Sequence, residues 1–160
     1  MPFVFFADKK GYEMNLLHEL GPDLTGLEQL RAMLASGRRS CFADTLNIAL
    51  VEADDGRVVL EATPDLHLYN SIGTVHGGFA ATMLDYACGY AVLSKLKPGQ
   101  NFSTLELKVN YHKAISKDTG PVRAEGKILS FGRRAAFSEA RLSDRNGKLL
   151  ASASSCLLVG

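Results

Sequence analysis

The stretch YNSIGTVHGGFAATMLDYACGYAVLSKL, residues 69–96, decides the fold. After His76-Gly77-Gly78 the chain stays apolar through Ser94, interrupted by one acid, Asp85. An apolar run of this length meets the size of a membrane span. It also holds Gly77, Gly78, Gly89 and the acid. A charge at the bilayer centre costs about 3 kcal/mol even on the lenient insertion scale. A helix buried inside a globular domain explains the same apolarity without that cost. The run is therefore expected to be a buried helix, with no membrane partner.

Its flanks are strands. NIALVEA (47–53) and RVVLEA (57–62) surround the hairpin signal Asp54-Asp55-Gly56. Downstream, STLELKVNY (103–111) alternates: Leu105, Leu107, Val109 and Tyr111 face one way, Glu106, Lys108 and Asn110 the other. Further strands are expected at 121–129, 134–142 and 149–159, punctuated by Gly132 and by Asn146-Gly147. Short links among the last four strands predict an antiparallel meander. A helix apolar nearly all round needs partners on most sides, and one curved antiparallel sheet wrapped around it supplies them. The expected class is α+β, the hot-dog fold.

Ahead of the sheet, TGLEQLRAMLASG (25–37) pairs Thr25 with Glu28 in a capping-box pattern. Leu27, Leu30 and Leu34 mark one helical face, and Gly37 a stop. Residues 1–45 are expected to form a helical extension and 46–160 the hot-dog domain. A net charge of +1 with interspersed acids and bases carries no footprint of nucleic-acid binding. Cys41, Cys88 and Cys156 are scattered, an arrangement that suits a reducing cytoplasm better than a disulfide framework. The opening MPFVFFADKK lacks the basic region of a signal peptide.

The pattern Asn70-x-x-Gly73-x-x-His76-Gly77-Gly78, followed by Asp85, resembles the signature of the PaaI-like acyl-CoA thioesterases of the hot-dog superfamily. STLELKVNYHKA (103–114) stands where that family has its strand after the helix, and the likeness covers roughly residues 45–159. Ser71 departs from a common proline, and His112 from a larger apolar residue. The resemblance implies that Asp85 is the catalytic carboxylate and that the Ser103 hydroxyl orients water. It implies too that Asn70, His76 and Gly77 bind and polarise the thioester carbonyl.

The chemistry fits these residue types. A helix N-terminus offers free N–H groups, and Gly77 lacks a side chain that would hold a carbonyl away. A partly desolvated Asp85 is a better base than a hydrated one, and it could also attack directly. Each residue has a structural alternative: Asn70 closing a turn, His76 capping the helix, Ser103 an ordinary strand residue, Gly77 and Gly78 tight packing. Asp85 is harder to explain that way, because an unpaired buried carboxylate is costly.

Arg133 and Arg134 in FGRR are candidates for the coenzyme A phosphates, with Lys108 a third. Phe79, Met83, Tyr86 and Tyr90 are candidates for lining the acyl pocket beside Gly78. His67, His76 and Asp85 sit at nine-residue intervals, unlike zinc spacings, so no metal is expected. Nor is a cofactor: coenzyme A is part of the substrate. No G-x-S-x-G elbow is present.

Gly77 and Asp85 stand about 12 Å apart along one helix. One thioester cannot touch both. Two antiparallel copies of the helix about a twofold axis could, which implies a homodimer with two shared sites. The resemblance implies the same, usually with dimers paired into tetramers. The expected activity is acyl-CoA thioester hydrolysis. The alternatives are a non-catalytic acyl-CoA-binding protein and an enoyl-thioester hydratase.

Overall fold

The computed structural model describes residues 15–160, so the opening MPFVFFADKK and the first part of the expected extension lie outside the described residues. Three short helices precede the sheet: α1 (Leu16–Leu20), α2 (Gly26–Ser36) and α3 (Cys41–Thr45). The strands are β1 (Ala49–Asp54), β2 (Arg57–Ala62), β3 (Phe102–Tyr111), β4 (Val122–Phe131), β5 (Ala135–Asp144) and β6 (Leu149–Val159). The long helix α4 (Gly77–Leu93) falls between β2 and β3. Every strand pairs antiparallel, and the curved sheet wraps α4 as the hot-dog fold requires.

The order across the sheet is β1-β2-β4-β5-β6-β3, which corrects the expected four-strand meander. Of those four, only β4, β5 and β6 follow one another through tight turns. The link from β3 to β4, residues 112–121, carries a 3-10 turn at Lys117–Thr119 and is too long for a hairpin. It lets β3 pair with β6 at one edge while β4 joins β2.

α4 buries Phe79, Ala80, Met83, Leu84, Ala87, Cys88, Ala91 and Val92 against the concave face. Its fit to the sheet is tight at Gly126 of β4, where a Cβ would come within 2.1 Å of the Ala87 carbonyl oxygen. α2 has the capping box read from the sequence: the Thr25 N–H donates to Glu28 Oε2 at 2.8 Å, and the Glu28 N–H to Thr25 Oγ1 at 3.3 Å. Leu30 is fully buried, Leu27 and Leu34 pack against the core, and Gly37 ends the helix in the left-handed conformation. α1 and α3 are too short to leave a periodic signal. Gln29 bridges α1 to α2 by donating its side-chain amide to the Leu17 and Gly21 carbonyls, both at 3.0 Å. Among the described residues no helix is long and apolar enough to cross a membrane.

Candidate active site

The loop before α4 is closed by Asn70. Its Oδ1 accepts from the Ile72 and Thr74 N–H groups, both at 3.1 Å, and its Nδ2 donates to Thr74 Oγ1 at 3.0 Å. The turn-closing alternative therefore accounts for most of what Asn70 can bond, leaving one amide proton free. Gly73 supplies the turn's positive φ of 83°. The loop delivers His76 as the N-cap of α4.

His76 satisfies the helix start unusually well. Its Nδ1 accepts from the Gly78 N–H at 2.8 Å, its carbonyl accepts from Phe79 N–H at 2.9 Å, and its own N–H donates to the Leu68 carbonyl at 2.8 Å. Because Nδ1 accepts, the neutral ring carries its proton on Nε2. His76 is exposed, and that proton meets no acceptor among the described residues. A Cβ at position 78 would lie 2.9 Å from His76 Nδ1, so glycine is what lets the ring fold onto this amide.

One first-turn amide is left over. The Gly77 N–H takes no acceptor among the described residues, at the positive end of a 17-residue helix. The missing side chain of Gly77 makes room for a neighbour, the tight-packing alternative read from the sequence. A Cβ there would meet the Tyr111 ring at 3.2 Å, and Tyr111 Oη donates to the Gly77 carbonyl at 3.0 Å.

Asp85 lies two turns further along α4 and is half-buried, the partly desolvated state expected of it, but it is not unpaired. Thr104 Oγ1 donates to its Oδ1 at 2.9 Å. The hydroxyl on Asp85 is thus that of Thr104 and not of Ser103. A bulge between Thr104 and Glu106 explains the difference. Phe102 packs on Gly89 and Thr104 on Asp85, so these two face the helix and Ser103 between them faces away. The bulged residue, Leu105, stands 62% exposed, and the inward alternation resumes with Leu107 and Val109, which pack on the core.

The remaining candidates separate. Lys108 is exposed on the outer face of β3. Arg133 and Arg134 form the exposed β4–β5 turn, whose Arg134 carbonyl accepts from Val159 N–H at 2.9 Å. Val159 pairs with Phe102, while Gly77 sits at the Tyr111 end of the same strand. Ten strand residues span roughly 30 Å, so one chain keeps its arginines far from its own Gly77. Phe79 lies near the helix start, whereas Met83 is fully buried in the core and lines neither of the two cavities beside His76. Tyr86 and Tyr90 pack edge to face with centroids 5.3 Å apart, and Tyr86 Oη shares a 2.7 Å hydrogen bond with Ser40 Oγ.

Two cavities flank His76. One, about 240 Å³, includes Gly77, Tyr111, His112 and Lys113 in its lining. The other, about 370 Å³, includes Phe42, Leu46, Leu68 and Phe79. Cys88 is no nucleophile for either, since burial pushes its thiol up to about 11. Among the described residues no three His, Cys, Asp or Glu side chains converge as for a metal.

This arrangement has known relatives. Residues 72–151, from the loop closed by Asn70 to the start of β6, match the Thioesterase superfamily. A Saccharolobus solfataricus protein named as an esterase is 31% identical over 68% of this chain and 75% of its own. Human acyl-coenzyme A thioesterase 13 is 30% identical over 65% of this chain and 74% of its own. A Ralstonia eutropha structure described as a phenylacetic acid degradation-related protein superposes with a TM-score of 0.72 at 25% identity, covering 81% of this chain and 98% of its own. The chain belongs to the thioesterase superfamily, with the PaaI-like hot-dog architecture, and thioester hydrolysis is its class of reaction.

Proposed function

We propose that the chain hydrolyses acyl-coenzyme A thioesters to the free acid and coenzyme A, at two sites shared by a homodimer. The observation that carries this reading is the unused Gly77 N–H at the start of α4. The thioester carbonyl accepts from it, with His76 Nε2–H as the neighbouring donor, and both interactions strengthen as the oxygen gains charge. Asp85 of the second copy removes a proton from water while the water oxygen attacks the carbonyl carbon. Thr104 holds the carboxylate in place. The tetrahedral intermediate then collapses, the carbon–sulfur bond breaks, and the coenzyme A thiolate leaves and is protonated. The named activity of the human relative supports the acyl-CoA substrate class.

Distance supports the dimer, because Asp85 is about 12 Å from Gly77 along its own helix. β3 is an outer strand of the sheet; it carries Thr104, and Asp85 lies beside it. Leu105 at 62% and Ile72 at 82% exposure stand near the two halves of the site, where a second copy would cover them. An antiparallel pairing also carries the partner's β4–β5 turn toward Gly77, which reunites Arg133 and Arg134 with the site for the phosphates.

The test is thiol release from a panel of acyl-CoA thioesters by the wild type and by Asp85→Asn. Turnover falling at least 100-fold with substrate binding retained is expected, since general-base catalysis contributes about 10²–10⁴-fold. Unchanged turnover would remove Asp85 from the mechanism.

A further inference from the structure

The larger cavity draws part of its wall from outside the sheet domain. Phe42 belongs to α3, and Leu46 is the residue that caps it. Leu68 and Phe79 supply further apolar lining, and His76 and Gly78 bring the same cavity to the helix start where the carbonyl donors lie. At about 370 Å³ it falls near the lower end of small-molecule pockets, about 300–1,000 Å³.

α3 is fixed in this place by specific bonds. Ser40 caps it by accepting from Ala43 N–H at 3.3 Å, and the same Oγ meets Tyr86 Oη at 2.7 Å. Ala43 is buried, and its carbonyl accepts from Ile48 N–H at 2.8 Å. Phe42 nevertheless remains 57% exposed, with its ring tilted toward Tyr86 at a centroid distance of 6.4 Å. It therefore packs along the cavity wall and leaves the core to Ala43. Past Thr82 the cavity lining stops, and one helical turn further on the Phe42–Tyr86 pair and the Ser40–Tyr86 hydrogen bond join α3 to α4. The lined part of α4, from His76 to Thr82, is about 9 Å long.

We propose that this cavity takes the acyl group and that α3 sets its length: Phe42 walls the chain, and the Tyr86 contact is the stop. The ligand class is a compact apolar acyl group, with long straight chains excluded. This inference rests on the acyl-CoA reading above and adds a role for the helical segment before the sheet. The large apolar side chains Phe42, Leu46, Leu68 and Phe79 outweigh His67 and Thr82 on this side of His76 and favour an acyl group there. The opposite cavity mixes small apolar residues with His112 and the charged Lys113, a mixture that suits the pantetheine arm with its alternating amides and methylenes.

The experiment measures kcat and KM for acetyl-, hexanoyl- and palmitoyl-CoA with the wild type, Phe42→Ala and Tyr86→Ala. Melting curves confirm that each variant is folded. For the wild type, kcat/KM for hexanoyl-CoA is expected to exceed that for palmitoyl-CoA at least tenfold. Either variant should narrow this ratio at least fivefold, mainly through a lower KM for the long chain. A ratio unchanged in both folded variants, or a wild type that prefers palmitoyl-CoA, overturns the inference and leaves the acyl-CoA reading standing. No thiol release from any of the three substrates by the wild type overturns both.

Discussion

Replacing Gly77 by proline deletes the one amide on which the proposed chemistry depends while sparing the helix that carries it. Proline is well suited to the first helical position, where its fixed φ fits and its missing N–H breaks no helical bond. His76, the residue before it, already has φ −61° and ψ 134°, the extended conformation that a following proline requires. The Gly77 N–H makes no bond within the described chain, so no internal partner is orphaned. The added carbon approaches the Tyr111 ring at 3.2 Å, but Tyr111 is 56% exposed and can yield. Stability should therefore change by no more than about 1 kcal/mol, within the cost of minor overpacking. Loss of an oxyanion donor costs about 10²–10³ in kcat, or about 2.7–4 kcal/mol. The assay is thiol release at saturating acyl-CoA, run beside Gly77→Ala, which adds the same crowding and keeps the N–H. A folded Gly77→Pro enzyme with kcat within about threefold of Gly77→Ala would refute the oxyanion role.

Two further predictions concern the scaffold. Gly126→Ala would set a Cβ 2.1 Å from the Ala87 oxygen and 2.4 Å from its carbon, so β4 and α4 must part by more than an ångström. A loss of about 1–3 kcal/mol is expected, at about 2–4 °C in Tm for each kcal/mol in a chain of this size. Gly160→Ala, which meets nothing within 4 Å, is the control, and equal melting temperatures for the two variants would contradict the packing account. Glu125 is held below its ordinary 4.5 by Lys127 and then by Arg57. Its contribution to stability is thus present above that value and lost as pH falls through the lowered native one. Urea unfolding of Glu125→Gln should show a constant deficit from about pH 7 to 5 that closes in acid. A deficit that grows on acidification would be the wrong sign.

Much of this was legible in the sequence because it is local. The Thr25–Glu28 box and the apolar run after His76 need only neighbours three or four residues away, and both elements formed where expected. Strand order was not legible. It depends on β3 choosing β6 over β4, a pairing between residues some 40–60 positions apart that no period encodes. Thr104 was missed for a related reason. Leu105, Leu107, Val109 and Tyr111 keep strict alternation on paper, but the bulge at Leu105 inserts one residue and turns Thr104 toward Asp85. A hydroxyl beside Ser103 was the only signal available. The segment around α3 gave none, since five helical residues show no face; Phe42 acquires meaning only when Ser40 and Tyr86 bring it over α4.

Mixing two inactive variants tests the shared site most directly. Asp85→Asn and Gly77→Pro, unfolded together and refolded as mixed dimers, should regain about a quarter of wild-type thiol release, because half the dimers then hold one intact site. Activity that stays at the level of the separate variants, with mixed dimers shown to form, would place Gly77 and Asp85 in the same site of one chain or remove one of them from the chemistry.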